Sequence, residues 1–383
     1  VFVSEQYELI PCNKSVHASS GVILMIILHH ITGDRLIALL GAIPFVAFPS
    51  AATWYAQIHR DGYYILGMLL FCYGWVRIAA NAEHDQRWWQ PSFVLILTVF
   101  FGTVFVWAAR PYAFYLLFAV LLLLAVFVLS LMLWRGLKQR IFSKKAVVES
   151  LSIILLLSSF HLVIKYKWLE GVDVRLRNAS TTELVLMNFV AEKSTGTEKS
   201  TGETSWKRSK WLPERVDTLL FSVAKSRQDS IITGYPRPDV GYLGAKSAVD
   251  EEIGLYSVGD FIKYFPRALQ IALLAPFPSQ WFDTAGSVQG GVMRKVAAVE
   301  MIFVYASLMW LPFALWRWRW KAEMWVAMLF AAPLLTLYGY VMPNVGSLYR
   351  MRYGFFMIIV GVALAAALSF VLKRRTPVIT RSS

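Results

Sequence analysis

RPYAFYLLFAVLLLLAVFVLSLMLWR, residues 110–135, decides the fold: between its two terminal arginines the chain carries no charged side chain. As a helix rising ~1.5 Å per residue, this stretch covers the roughly 30 Å of hydrocarbon in a bilayer. Only a helix satisfies every backbone group of an isolated segment there. Arg110 with Pro111 forms a very tight turn at one end, and Arg135 opens a basic segment at the other.

Working outward, runs of comparable character lie at 16–33, 36–56, 62–80, 90–109, 145–165, 296–316, 323–342 and 351–372. With 112–134 they predict an all-α, polytopic transmembrane helix bundle of about nine spans. The mean hydropathy of +0.51, with 57% hydrophobic and 16% charged residues, excludes an ordinary soluble domain. Fifteen Trp, 17 Tyr and 25 Phe suit aromatic belts at both interfaces. The net charge of +14 sits between the spans, which excludes nucleic acid as the partner it serves. Cys12 and Cys72 are the only cysteines, and Cys72 lies inside a span, so neither a disulfide framework nor a cysteine metal site is expected.

Counting Lys and Arg near the span ends gives fifteen on one side (Arg35 to Arg381) and five on the other (Lys14, Arg60, Arg110, Arg350 and Arg352). Positive residues accumulate on the cytoplasmic side, so the amino end is expected outside and the carboxyl end inside. Three regions follow. Residues 1–166 hold N-terminal transmembrane helices, 167–260 a large periplasmic loop, and 261–383 a re-entrant segment with the C-terminal transmembrane helices. Within the loop, EKSTGTEKSTGETS (192–205) lacks apolar residues and reads as a flexible linker. FPRALQIALLAPFPSQWF (265–282) contains three prolines and an arginine, and a full crossing would break the alternation of its neighbours. It reads as a re-entrant or interfacial helix entering from the outer face.

The side chains suited to chemistry cluster at the outer span ends. The turn QIHRDG (57–62) sets His59, Arg60 and Asp61 together, and a carboxylate beside an arginine at the boundary can act as a base. Arg110 is confined to the membrane surface, within reach of a lipid phosphate. Arg267 lies on the re-entrant segment. In PNVGSLYRMRY (343–353), Asn344 suits a turn, while Arg350 and Arg352 open a helix on the side where positive charge is disfavoured. A bound anionic headgroup would compensate them. Glu149, His161 and Glu300 stand near span ends and are assigned no role. WRWRWK (316–321) reads as a cytoplasmic aromatic-basic belt.

The segment HHITGDRLIALLGAIPFVAFPSAATWYAQIHRDGYYILGMLLF (29–71) resembles a stretch of the bacterial protein-mannosyltransferase-like (GT-C type) membrane glycosyltransferases. The shared features are the inner turn Gly33–Arg35, the span-ending Phe48-Pro49 and the outer turn Arg60-Asp61. RPY (110–112), LLAPFPSQWF (273–282) and NVGSLYRMRY (344–353) look like later blocks of a bacterial subgroup of such proteins. The resemblance implies a multi-pass enzyme of the bacterial inner membrane. It would transfer a sugar from a polyprenyl-phosphate carrier to a glycan, lipid or protein acceptor on the periplasmic side, in envelope glycan synthesis. Arg110, Arg267, Arg350 and Arg352 would hold the carrier phosphate; His59, Arg60 and Asn344 would line the substrate site; Asp61, or a carboxylate upstream, would orient or deprotonate the acceptor hydroxyl group. The family's principal carboxylate lies in a large outer loop after its first span. No such loop precedes residue 16, so the resemblance places that loop upstream of this chain. No cofactor is identified, and metal dependence stays open. Two other readings remain: a polysaccharide polymerase or O-antigen-ligase-like enzyme, and a transporter, flippase or non-catalytic scaffold of a polysaccharide export complex.

Overall fold

The computed structural model describes residues 4–55, 60–80, 89–139, 144–166, 206–234, 248–282 and 288–375. Thirteen helices of more than one turn run through them. They are α1 (Ser4–Thr32), α2 (Arg35–Ala47), α3 (Pro49–Tyr55), α4 (Asp61–Ala79), α5 (Gln90–Ala109), α6 (Ala113–Gln139), α7 (Lys144–Lys165), α8 (Glu214–Gly234), α9 (Val258–Leu274), α10 (Val288–Leu308), α11 (Leu311–Arg317), α12 (Ala322–Val341) and α13 (Val345–Arg375). Among the described residues there is no strand, only two isolated β-bridges. Among the described residues, eight helical stretches are long and apolar enough to cross a membrane, with α10 and α11 together forming one of them. The chain is an all-α polytopic helix bundle. His59 and the 192–205 linker fall outside the described residues.

The second expected span, 36–56, is two helices. Asp34 opens α2 by accepting hydrogen bonds from the amides of Leu36 (2.9 Å) and Ile37 (3.2 Å), after Gly33 turns the chain at a φ of 73°. Pro49 then disfavours helical backbone at Phe48 and cannot donate into the preceding turn. The chain breaks there, and α3 starts afresh.

The core is organised around α13, which packs against α1, α2, α4, α9, α10, α11 and α12 and is buried along most of its length. By contrast, α5, α6 and α7 leave broad apolar faces outward, as lipid-facing helices do. Small residues let the helices approach closely. A Cβ on Gly67 would meet the Gly102 carbonyl at 2.6 Å, and one on Gly339 would meet the Ala268 carbonyl at 2.2 Å. The first contact closes α4 on α5, and the second seats α9 on α12.

Contacts also sort the helix ends. The Tyr64 and Tyr338 hydroxyls, near the start of α4 and the end of α12, lie 3.0 Å apart. The amide of Val249 donates to the Pro343 carbonyl at 3.0 Å. The start of α4, the end of α12, the start of α13 and the 248–257 segment therefore share one end of the bundle. At the other end, Lys321 Nζ donates to the Ile31 carbonyl in the last turn of α1 (2.7 Å).

Candidate functional site

Asp61 is the first residue of α4, where a negative charge complements the helix dipole. Arg110 ends α5, and the tight packing of α4 on α5 brings the two together. Arg110 Nη2 donates to Asp61 Oδ1 in a largely buried ion pair. Arg110 Nη1 donates to the Tyr112 hydroxyl at 2.9 Å, and its guanidinium stands 5.0 Å from the centre of the Tyr64 ring. The Tyr64–Tyr338 hydroxyl pair continues this network to α12. A carboxylate is thus held by an arginine that itself meets Tyr112 and Tyr64, with Tyr338 one hydroxyl contact further on. Such an arrangement fixes the carboxylate at the span end, where it can face a hydroxyl group. Arg60 stands exposed just before it.

Asn344 caps α13: its Oδ1 accepts from the amide of Gly346 at 3.0 Å, and its backbone bridges to Ala248. Arg350 and Arg352 part company. Two positions along a helix lie roughly 200° apart around it, so their side chains cannot converge on one group. Arg350 is half-buried and has no hydrogen-bond or ion-pair partner among the described residues. Arg352 is 0% exposed. It donates through Nη1 to the carbonyls of Ile271 (3.0 Å) and Ala272, and through Nη2 to that of Ala275.

Those acceptors belong to the last turn of α9 and its cap, where Ile271 still accepts from the Ala275 amide at 3.1 Å but Ala272 and Ala275 have no helical donor. Tyr305 Oη donates to the Leu274 carbonyl at 2.6 Å, and Trp281 Nε1 to that of Pro276 at 2.9 Å. Tyr305 and Arg352 are on span helices, so the proline-rich end of the predicted re-entrant segment rests against side chains within the bundle. Its freed backbone is satisfied there, as membrane depth requires.

Arg267 lies at the middle of α9. It makes a two-pronged pair with Asp250: Nε to Oδ2 at 2.8 Å and Nη2 to Oδ1 at 2.9 Å. Tyr264 Oη donates to the same carboxylate at 3.1 Å. The Arg267 guanidinium foremost, by hydrogen bonding and charge, holds the Asp250 carboxyl below its ordinary range despite partial burial.

Sequence reasoning missed two features. Arg227 on α8 is 1% exposed and donates to the carbonyls of Asp250 (2.6 Å), Ile253 (3.1 Å) and Tyr340 (3.1 Å). The signal was available: Leu220, Val223, Ala224, Arg227 and Ile231 form one helical stripe, with the arginine in its middle. Glu300, assigned no role, is 4% exposed. It accepts from the Ser50 amide (2.8 Å), the Ser50 hydroxyl (2.5 Å) and the Tyr349 hydroxyl (2.8 Å). It thereby caps α3 from another helix, a consequence of the break at Phe48 that no local pattern announces. Among the described residues, no group of three or more His, Cys, Asp or Glu is placed to hold a metal ion.

Set against protein-family models, curated proteins and solved structures, the chain finds no match.

Proposed function

We propose that the chain is a membrane glycosyltransferase that moves a sugar from a polyprenyl-phosphate carrier to a periplasmic or lipid-linked acceptor in envelope glycan synthesis. The observation that carries this reading is the Asp61–Arg110 pair, set among Tyr64, Tyr112 and Tyr338 at a span end. Transfer requires an acceptor hydroxyl to attack the sugar's anomeric carbon while the bond to the carrier phosphate breaks. The hydroxyl proton needs a base, and the departing phosphate needs a cation beside it. Asp61, oriented by Arg110, supplies the first. Arg350, half-buried at the same end, supplies the second, and Arg60 and Asn344 belong to that end too. In this reading Arg352 and Arg267 act indirectly, by holding α9 in place.

Glu300 and Arg352, both ionisable and buried on span helices, favour a second reading as a transporter or flippase. One assay separates the two. Proteoliposomes carrying the product of the whole reading frame are given a radiolabelled polyprenyl-phosphate hexose and a panel of glycan and lipid acceptors. Release of sugar from the carrier is expected. Asp61→Asn and Arg350→Ala should each slow it by about 100-fold or more. Movement of the intact lipid-linked sugar between leaflets, without cleavage, would replace the transferase reading with the transport one.

A further inference from the structure

The turn joining α11 to α12 takes no part in the site above, yet it is the most organised cationic surface of the opposite end. It links the candidate spans Gly291–Arg317 and Ala322–Val341, which sets residues 318–321 at a membrane–water boundary. Within it the guanidinium of Arg319 lies close to two indoles, 5.2 Å from the centre of Trp316 and 5.6 Å from that of Trp320. Arg319 Nη1 donates to the Trp316 carbonyl at 2.8 Å, and the Arg319 carbonyl accepts from Trp325 Nε1 at 2.7 Å. The backbone is fixed as well: the amide of Lys321 donates to the Trp318 carbonyl at 2.9 Å. Arg319 is therefore a positioned cation, with four of its five N–H groups unused by the protein among the described residues.

Its surroundings fit a lipid. Trp316 and Trp320 are 61% and 87% exposed, a placement that suits indoles at headgroup level. Arg317 is exposed alongside, and Lys321 follows, with the acid Glu323 in the first turn of α12. A further basic run reaches the same end. Glu300 meets Tyr349, and Trp310 and Phe313 meet Phe370, so α13 runs parallel to α10 and α11. That direction brings the backbone of Lys373, Arg374 and Arg375, the last turn of α13, towards the level of this turn.

We infer that the 316–321 turn docks the phosphodiester headgroup of an anionic phospholipid. A phosphodiester offers two non-bridging oxygens sharing one negative charge, which matches the forked face of a guanidinium set beside two indoles. The exposed tryptophans would meet the glycerol and upper acyl region of the same molecule, which a free phosphate lacks.

The test uses the full chain in phosphatidylcholine vesicles carrying a trace of photoactivatable phosphatidylglycerol, its reactive group near the glycerol. Peptides covering 310–325 should be labelled about tenfold more than by a matched phosphatidylcholine probe. Arg317→Gln combined with Arg319→Gln should remove that preference, and Arg319→Lys should retain part of it. Both arginines are exposed, so the double variant keeps its bundle; an unchanged melting temperature checks this. Trp316→Ala with Trp320→Ala, which leaves every charge in place, should also lower labelling. Excess inorganic phosphate should leave it unchanged. Equal labelling by the two probes, labelling indifferent to the arginines, or full competition by inorganic phosphate would each overturn the inference.

Discussion

Arg350 and Arg352 show how two arginines of one short motif acquire opposite tasks. Arg352 replaces donors that the end of α9 has lost, and each buried carbonyl left unsatisfied costs about 1–3 kcal/mol. Arg352→Met keeps much of the volume and removes every donor. The Ala272 and Ala275 carbonyls would be orphaned, while Ile271 keeps the Ala275 amide, and that loss against a total stability of about 5–15 kcal/mol should lower the melting temperature in detergent markedly. Arg352→Lys, with one compact ammonium, should fall between that variant and the native protein. Arg350→Ala should melt within about 0.5 kcal/mol of native. If Arg352→Met melted like the native protein, the trans-capping account of α9 would fail. The sequence singled out both residues because outward arginines need compensation. It could not say that for Arg352 the compensation is backbone, since the α9 carbonyls are some 80 positions away along the chain.

At the scale of elements, α9 is held twice: by Arg352 at its inner end and by the Asp250–Arg267 pair nearer its start. The second hold depends on pH. The folded-state pKa of Asp250 is depressed, so its contribution is fully present above the unfolded-state value of about 3.9 and is lost as pH falls through the lower folded value. Hydrogen exchange over 248–268 should therefore stay slow from neutrality down to about pH 4, then quicken. Asp250→Asn should exchange quickly already at pH 7, and slow exchange in that variant would exclude the pair as the latch. Proline spacing made α9 legible as something other than a plain span. The break of the second span at Phe48 was equally written, in Phe48-Pro49, but hydropathy averaged over 36–56 runs straight through both Pro44 and Pro49. Partner choice was the illegible part, because Glu300 lies 250 positions from the Ser50 it caps.

For the molecule as a whole, eight apolar crossings were readable because a bilayer imposes one length and one hydrogen-bonding solution on every span. Which way they cross rests on the fifteen-to-five charge count. In a Cys12→Ser background, where the remaining Cys72 is buried, a cysteine placed at Ser200 should react with an impermeant maleimide from the periplasm, and one at Ser143 only after permeabilisation. The reverse pattern would invert the bundle and carry Asp61 and Arg110 to the cytoplasm. The centrality of α13 has a consequence for biogenesis. The helix that organises the bundle is translated after every helix it binds. Until it leaves the ribosome, Glu300 lacks the Tyr349 hydroxyl, and the last turn of α9 lacks Arg352. The earlier helices must therefore wait in the membrane with polar groups unmatched. Membrane chaperones and quality-control proteases would meet the chain in that interval.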